Sequence, residues 1–252
     1  MKQKIALITG GSRGLGRSAA LHLAKANVGV LITYQSSAAE AQNVVDEINR
    51  QGGKAAALQL DVAESGRFST FRDSVISTLK ETFAQDTFDF LVNNAGYGVF
   101  APFAATTEVE LDNMYAVHLK GPFLLTQCLS ALINDHGRIL NVSSGLTRMT
   151  FAGYDAYAAM KGGVEVVTRY QAAAFASRGI SVNTLAPGAV ETDFGGGAVR
   201  DTPKLNQQIA SNTAMGRVGL PDDIGQAIAG LLVAGSEWMT GQRIEVSGGQ
   251  AL

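Results

Sequence analysis

Short β-branched runs alternate along this chain with longer stretches whose apolar positions recur every three to four residues. The runs KIALIT (4–9), VGVLITY (28–34), KAAALQLD (54–61), FDFLV (88–92), GRILNVSS (137–144), ISVNTLAPG (180–188) and RIEVSGG (243–249) predict strands. The stretches between them predict helices at 14–26, 38–51, 67–83, 110–133 and 157–177, the fourth being one long helix or two. An apolar run that does not alternate marks a strand covered on both faces. Such strands separated by helices are the pattern of an α/β doubly wound fold with right-handed crossovers. The expectation is a seven-stranded, mostly parallel sheet with helices on both faces. No composition shift or Pro/Ser-rich linker divides the chain, so residues 1–252 are expected to form a single domain.

Glycine changes this picture. There are 29 glycines among 252 residues, well above the usual share of ~7%. They cluster in TGGSRGLG (9–16), NNAGYG (93–98), SSGL (143–146), KGG (161–163), FGGG (194–197) and VSGG (246–249). Clustered glycines mark backbone that turns tightly or approaches a ligand. In an open α/β sheet, ligands bind beyond the carboxyl ends of the strands. TGGSRGLG follows the first strand, NNAG the fourth, SSG the fifth and APG the sixth, so all four fall on that edge. A glycine turn that opens a helix offers unpaired N–H groups and the positive end of the helix dipole, which suits a pyrophosphate.

Composition mainly excludes. The formal net charge of −2 leaves no electrostatic footprint for nucleic acid or an anionic membrane surface. No apolar run reaches the roughly 18 residues that span a bilayer. The start, MKQKIALITGG, reads as a first strand rather than a signal peptide. The single cysteine, Cys128, sits in an apolar helical pattern and is expected to be a small buried hydrophobe. With no disulfide pair, a reducing cytoplasm is the expected compartment. His22, His118 and His136 lack metal-ligand spacing, and no metal site is expected.

Tyr157 and Lys161, in DAYAAMKGG, are four apart and share one helix face. Together with TGGSRGLG, NNAG at 93–96, Ser144, PGAVET (187–192) and MTGQRIEVSGG (239–249), they make the chain resemble the short-chain dehydrogenase/reductase family over essentially its whole length. Within it, the chain most resembles the 3-oxoacyl-carrier-protein reductase-like ketoreductases. The resemblance implies a Rossmann-type fold. It makes Tyr157 the general acid in ketone reduction and the base in alcohol oxidation. It has Ser144, 13 residues earlier, hold the carbonyl oxygen, and has Lys161 hydrogen-bond the nicotinamide ribose. A free phenol titrates near pH ~10; the Lys161 cation is expected to lower that value by ~2–3 units. Tyr154 is the nearest competitor as acid but lies seven residues before Lys161, and it is expected to wall the substrate pocket.

The resemblance also implies a cofactor contact set. It comprises Gly10, Ser12, Arg13, Gly14, Leu15 and Gly16 in the loop, and Tyr34, Gln35 and Ser36 at the end of the second strand. Asp61 and Val62 match adenine contacts, and Asn94, Ala95 and Gly96 match ribose contacts, although Asn94 could equally tie strands together. Tyr157, Lys161, Pro187 and Gly188 belong to the same set, with Val190 and Thr192 at the carboxamide. NAD enzymes usually carry an acid ~20 residues past the loop. Here the second strand ends TYQSS, with no acid until Glu40. Arg13 can pair with a 2′-phosphate, helped by Ser36 and Gln35, so NADPH/NADP is expected over NADH.

One departure stands out. The family commonly has Asn-Leu-Lys-Gly where this chain reads AVHLKGPF (116–123), placing His118 at the asparagine position. His118 is expected to hold the same relay water, with an acid ionisation below ~6.5, the alternative being that its longer reach turns it out to solvent. Tyr97, Phe151, Tyr154 and Phe194 are candidate pocket residues, with a mobile lid near 190–212. The expected substrate is a small-molecule carbonyl: a ketone, ketoester or 3-oxoacyl compound. LINDHGR (132–138) lacks lysine, which weakens the case for an acyl-carrier protein, but that carrier or a CoA thioester stays an alternative. Two other functions stay open: an NAD-dependent alcohol or sugar dehydrogenase, and a non-catalytic dinucleotide sensor. By family analogy a homotetramer is expected, built on the helices at 107–134 and 154–178.

Overall fold

Four consecutive apolar side chains, Ile5–Ile8, are fully buried and form β1 at the centre of the sheet. The computed structural model describes residues 2–234 and 237–252. Among these, the other strands are β2 (Gly29–Tyr34), β3 (Ala55–Gln59), β4 (Phe88–Asn93), β5 (Ile133–Val142), β6 (Ser181–Pro187) and β7 (Arg243–Val246). The order is β3-β2-β1-β4-β5-β6-β7, and every neighbouring pair is parallel. The helices are α1 (Gly14–Lys25), α2 (Ala38–Arg50), α3 (Phe68–Phe83), α4 (Glu108–Tyr115), α5 (Gly121–Leu129), α6 (Asp155–Phe175), α7 (Ala198–Asp201), α8 (Pro203–Ser211) and α9 (Pro221–Val233).

The strands send alternate side chains to two cores. Ala6 and Ile8 pack with Leu23 of α1, Val44 of α2 and Ile228 of α9. Ile5 and Leu7 pack with Val75 and Leu79 of α3 and Leu125 of α5. Burial on both faces accounts for strands that read as unbroken apolar runs. Among the described residues no helix is long and apolar enough to cross a membrane.

The largest departures from the sequence expectation lie around the fourth helix and β5. The helix expected at 110–133 is broken. α4 starts at a Thr107/Glu110 capping box, a wider π-turn occupies Ala116–Lys120, and α5 follows. Pro122 has no amide to offer the carbonyl four residues back, which is that of His118, so a regular α-turn cannot close there. β5 begins at Ile133 rather than at 137, because Ile133 pairs with Phe88 ahead of a register irregularity. It ends at Val142, which leaves Ser143 and Ser144 beyond the strand. Cys128 is only partly buried, and its Sγ faces the Phe68 carbonyl oxygen at 3.4 Å.

Candidate active site

Because all seven strands are parallel, the segments that follow β1, β4, β5 and β6 meet at one edge. The loop after β1 is a tight cradle. Gly10 has φ +66°, and a Cβ there would come within 2.9 Å of the Ala95 Cα. A Cβ on Gly16 would overlap the Gly10 carbonyl oxygen, so only glycine lets α1 approach the loop. α1 starts at Gly14 without a side-chain cap. Its first-turn N–H groups therefore suit an anion, and the cradle fits a dinucleotide pyrophosphate.

Asn94 is the tie between strands. Its amide donates to the carbonyl oxygens of Thr9 (2.9 Å) and Gly10 (3.1 Å). The Thr9 hydroxyl in turn accepts from the backbone N–H groups of Asn94 and Ala95, each at 2.9 Å. Thr9 was not singled out in the sequence, where it reads as the last strand residue.

At the far end of the groove, Tyr34, Gln35 and Ser36 end β2 without a carboxylate of their own. The nearby Asp61 lies past β3 with Val62; it accepts from the Gln35 amide (2.7 Å) and the Ala63 N–H (2.9 Å). Arg13 is exposed and stands 3.7 Å from Asp193, which also receives Arg200 at 2.6 Å. Ser12 is half-buried, and Leu15 packs on the core. Gly188, past Pro187, donates to Val246; Val190 bridges to Gly219, and Thr192 faces Gly14.

α6 carries Tyr157 and Lys161 one turn apart, 7% and 5% exposed. The Lys161 ammonium donates to the Val142 carbonyl oxygen at 2.7 Å, and its Nζ lies 5.6 Å from the centre of the Tyr157 ring. Ser144 lies just past β5, beside the Tyr157 phenol. Burial pushes the Tyr157 phenol up, and the Ser144 hydroxyl only partly opposes it. This reverses the expectation of a lowered value. The phenol is fully desolvated, whereas the lysine spends its short hydrogen bond on Val142. Burial also pushes Lys161 down to about 8.

His118 occupies the π-turn and is 1% exposed. Its Nε2 pairs with the Tyr97 carbonyl oxygen at 2.7 Å, and its ring stands edge-on to Tyr157 with centroids 5.0 Å apart. A Cβ on Gly96 would reach within 2.5 Å of His118 Cε1, so Gly96 makes room for the imidazole. Burial, then the Lys161 charge, push His118 down to about 3, against the Tyr97 hydrogen bond. The imidazole is therefore neutral at working pH, and the acid ionisation expected from the sequence moves out of range. Among the described residues, His118 Nδ1 and Asn93 Oδ1 are buried side-chain atoms without a protein partner. Both residues line one small cavity with Lys161, Thr9 and Asn141.

An aromatic wall faces Tyr157. Tyr154 stacks on Phe194 (6.0 Å, 20°), meets Phe100 edge-on (5.7 Å) and lies 6.1 Å from Phe151. Phe194 is 5.2 Å from Tyr157. Phe151, Tyr154 and Phe194 thus come together beside Tyr157. Phe100, 64% exposed, joins them; in YGVFAPF (97–103) it stands between Tyr97 and Phe103, outside the motifs that single out the site in the sequence. Tyr97 sits at the rim, its ring 6.0 Å from His118. No cluster of metal-ligating side chains occurs among the described residues.

Known proteins resemble this chain over nearly its whole length. A family model described as enoyl-(acyl carrier protein) reductase matches residues 10–251. A hydroxynaphthalene reductase-like protein, Arp2, of Metarhizium brunneum is 33% identical, over 98% of this chain and 94% of its own length. The solved structure of LugOII, a promiscuous reductase of keto-reduction at C1 in lugdunomycin biosynthesis, superposes with a TM-score of 0.93 at 39% identity, covering 99% of this chain and 98% of its own. The angucycline C-6 ketoreductase LanV with bound NADP gives a TM-score of 0.93 at 33% identity, over 98% and 95% of the two chains. The whole-length match and the shared sheet make this chain a reductase of the short-chain dehydrogenase/reductase family.

Proposed function

We propose that the protein is an NADPH-dependent ketoreductase whose substrate is a planar, polycyclic aromatic ketone. The observation that carries this is the wall of Phe100, Phe151, Tyr154 and Phe194 set against the Tyr157 phenol. Aromatic faces and edges at 5–7 Å favour a flat π-system beyond simple burial. The hydroxynaphthalene and angucycline chemistry named for the relatives supports the same class. The chain segment 190–212 acts as a lid, opened by three glycines, 195–197, all at positive φ.

A bound nicotinamide dinucleotide would supply the hydride. The Gly10–Gly16 cradle would hold its pyrophosphate, and Arg13 with Ser36 its 2′-phosphate. The Ser144 hydroxyl holds the carbonyl oxygen, and the Tyr157 phenol gives that oxygen its proton. Burial keeps the phenol protonated, so the proton is in place, but it also holds that proton more tightly, and its release depends on stabilising the phenolate. The phenolate left behind is stabilised by the Lys161 ammonium beside its ring. Two acceptors, His118 Nδ1 and Asn93 Oδ1, with the Lys161 donor, complement a single water molecule that returns the proton. The apolar residues Val109, Leu111, Tyr115, Phe123, Val166 and Tyr170 are exposed on α4, α5 and α6 and fit the homotetramer expected by family analogy.

The test is a panel of 1-tetralone, 2-tetralone, 9,10-phenanthrenequinone, ethyl acetoacetate and acetoacetyl-CoA, assayed at 340 nm with NADPH and with NADH. The expected result is highest kcat/KM for the fused-ring carbonyls with NADPH. Preference for acetoacetyl-CoA or the ketoester rejects the aromatic assignment. Turnover only with NAD and an alcohol rejects the cofactor and the direction.

A further inference from the structure

Glu165 lies one turn beyond Lys161 on α6, and nothing above gives it a role. It is not a solvated helix charge, since its side chain is only 16% exposed. One carboxylate oxygen, Oε1, accepts from the Ser143 hydroxyl (2.8 Å), the Thr147 hydroxyl (2.7 Å) and the Arg243 Nε (2.8 Å). Ser143 precedes Ser144, and Thr147 closes the turn that follows it.

Arg243, at the start of β7, reaches the same turn. Its Nη2 lies 3.2 Å from the Thr147 hydroxyl and 3.4 Å from the Ser144 carbonyl oxygen, and its Nη1 donates to Glu245 at 2.9 Å. Glu245 holds Arg148 by two bonds, at 2.9 and 2.7 Å. Arg148 then donates to the carbonyl oxygens of Gln250 (2.7 Å) and Ala251 (3.0 Å). The charges alternate Glu165, Arg243, Glu245, Arg148 and sum to zero. Both flanks of Ser144 are thereby pinned to one lattice, whose side-chain anchor on α6 is Glu165; the Ser143 hydroxyl also lies 3.4 Å from the Lys161 carbonyl oxygen. Charge-assisted, multiply bonded contacts of this kind hold geometry better than neutral pairs do.

We propose that Glu165 is a positioning residue: through Ser143, Thr147 and Arg243 it fixes the backbone of Ser144 and keeps that hydroxyl in register with the Tyr157 phenol. The proposal rests on the reading of Ser144 as the group that holds the substrate carbonyl. Gln cannot replace Glu here. An amide oxygen can accept the same three bonds, but the neutral amide leaves Arg243 without its α6 counter-charge and removes the charge assistance from every bond. A misplacement of about 1 Å at a reacting group can cost on the order of a hundredfold in rate.

The experiment is a double-mutant cycle on the full chain with Glu165→Gln, Ser144→Ala and the pair. It reads kcat and KM for the panel ketone of highest turnover, and the NADPH Kd by fluorescence titration. Expected is a fall in kcat of about tenfold for Glu165→Gln with an NADPH Kd within about twofold of wild type, and less than about twofold further loss on the Ser144→Ala background. Unchanged kcat in Glu165→Gln, or a loss that multiplies fully with that of Ser144→Ala, overturns the proposal alone. Unchanged kcat in Ser144→Ala overturns the reading of Ser144 instead. If Glu165→Gln does not fold, Thr147→Val removes one arm of the lattice at constant shape. It should show the same non-additivity with a loss of about threefold, and full additivity there overturns the proposal equally.

Discussion

His118 Nε2 and the Tyr97 carbonyl oxygen are 2.7 Å apart, with the imidazole only 1% exposed, and this pairing fixes the tautomer of the ring. A carbonyl only accepts, so Nε2 carries the hydrogen and Nδ1 is left as an acceptor. The lone pair of Nδ1 therefore belongs to the cavity it shares with Lys161 and Asn93.

His118 should contribute stability above pH ~6.5 and lose it as the pH falls toward 3. Its folded value is depressed to about 3, so the unfolded chain takes up the proton first. Wild type should therefore be acid-labile between these values, and His118→Asn should flatten urea-unfolding free energies across that window. The pH–rate profile of wild type should show no extra acid limb from this residue. His118→Ala should slow turnover about tenfold if the water path is real; a wild-type rate in that variant ends the relay idea.

Tyr157→Phe should all but abolish turnover. The expected loss is about a hundredfold or more, the range of general acid–base groups. NADPH binding, read by fluorescence, should stay within a few-fold of wild type. A loss of less than about tenfold excludes Tyr157 as the proton donor.

Lys161 is a buried cation whose folded value is lowered to about 8 from 10.5. Its burial penalty is full below pH 8 and fades between 8 and 10.5, as the folded chain gives up the proton first. Lys161→Met should be inactive yet at least as stable as wild type at pH 7, with the stability gap narrowing from pH 8 upward. Thermal melts at pH 7 and 9.5 decide it; a gap that widens toward alkaline pH contradicts the burial assignment.

Arg13→Ala should raise the NADPH KM far more than the NADH KM. A hydrogen bond to a charged group contributes ~1.5–3 kcal/mol, so the preference should drop about ten- to a hundredfold. An unchanged ratio of the two kcat/KM values means that Arg13 does not read the phosphate.

Phe194→Ala should raise KM for 2-tetralone by about tenfold, since it removes both the stack on Tyr154 and the face toward Tyr157. KM for ethyl acetoacetate, which has no ring to stack, should move much less. Equal shifts for both would assign Phe194 to general packing.

The sheet was legible in the sequence because burial on both faces leaves a continuous apolar run, as in Ile5–Ile8. So was the site edge, since Tyr157, Lys161, Ser144 and the glycine loop follow the ends of strands and the face of one helix. The break around His118 was not legible. A π-turn shifts the helix by one residue while the apolar side chains continue, and only Pro122 hints at it. The direction of the His118 shift was legible from its nearness to Lys161, but its depth and the raised Tyr157 value were not, because desolvation comes from the whole enclosure, not from a spacing. Glu165 and Arg243 stayed hidden for a related reason. A lone acid on a helix and a lone base 78 residues on reveal their partnership only when β7 has docked beside the turn after β5.

The order of the sheet also sets a timetable for synthesis. Ala6 of β1 pairs with Val30 of β2 on one side and with Phe90 of β4 on the other. The emerging chain can therefore assemble β1, β2 and β3 early, while the opposite edge of β1 waits for a strand that is translated much later. Until then the Gly10–Gly16 loop exists without Asn94, whose amide closes it against Thr9 and Gly10. The nascent protein thus passes through a stage with an incomplete loop cradle and one edge of β1 unpaired, exposed until β4 arrives.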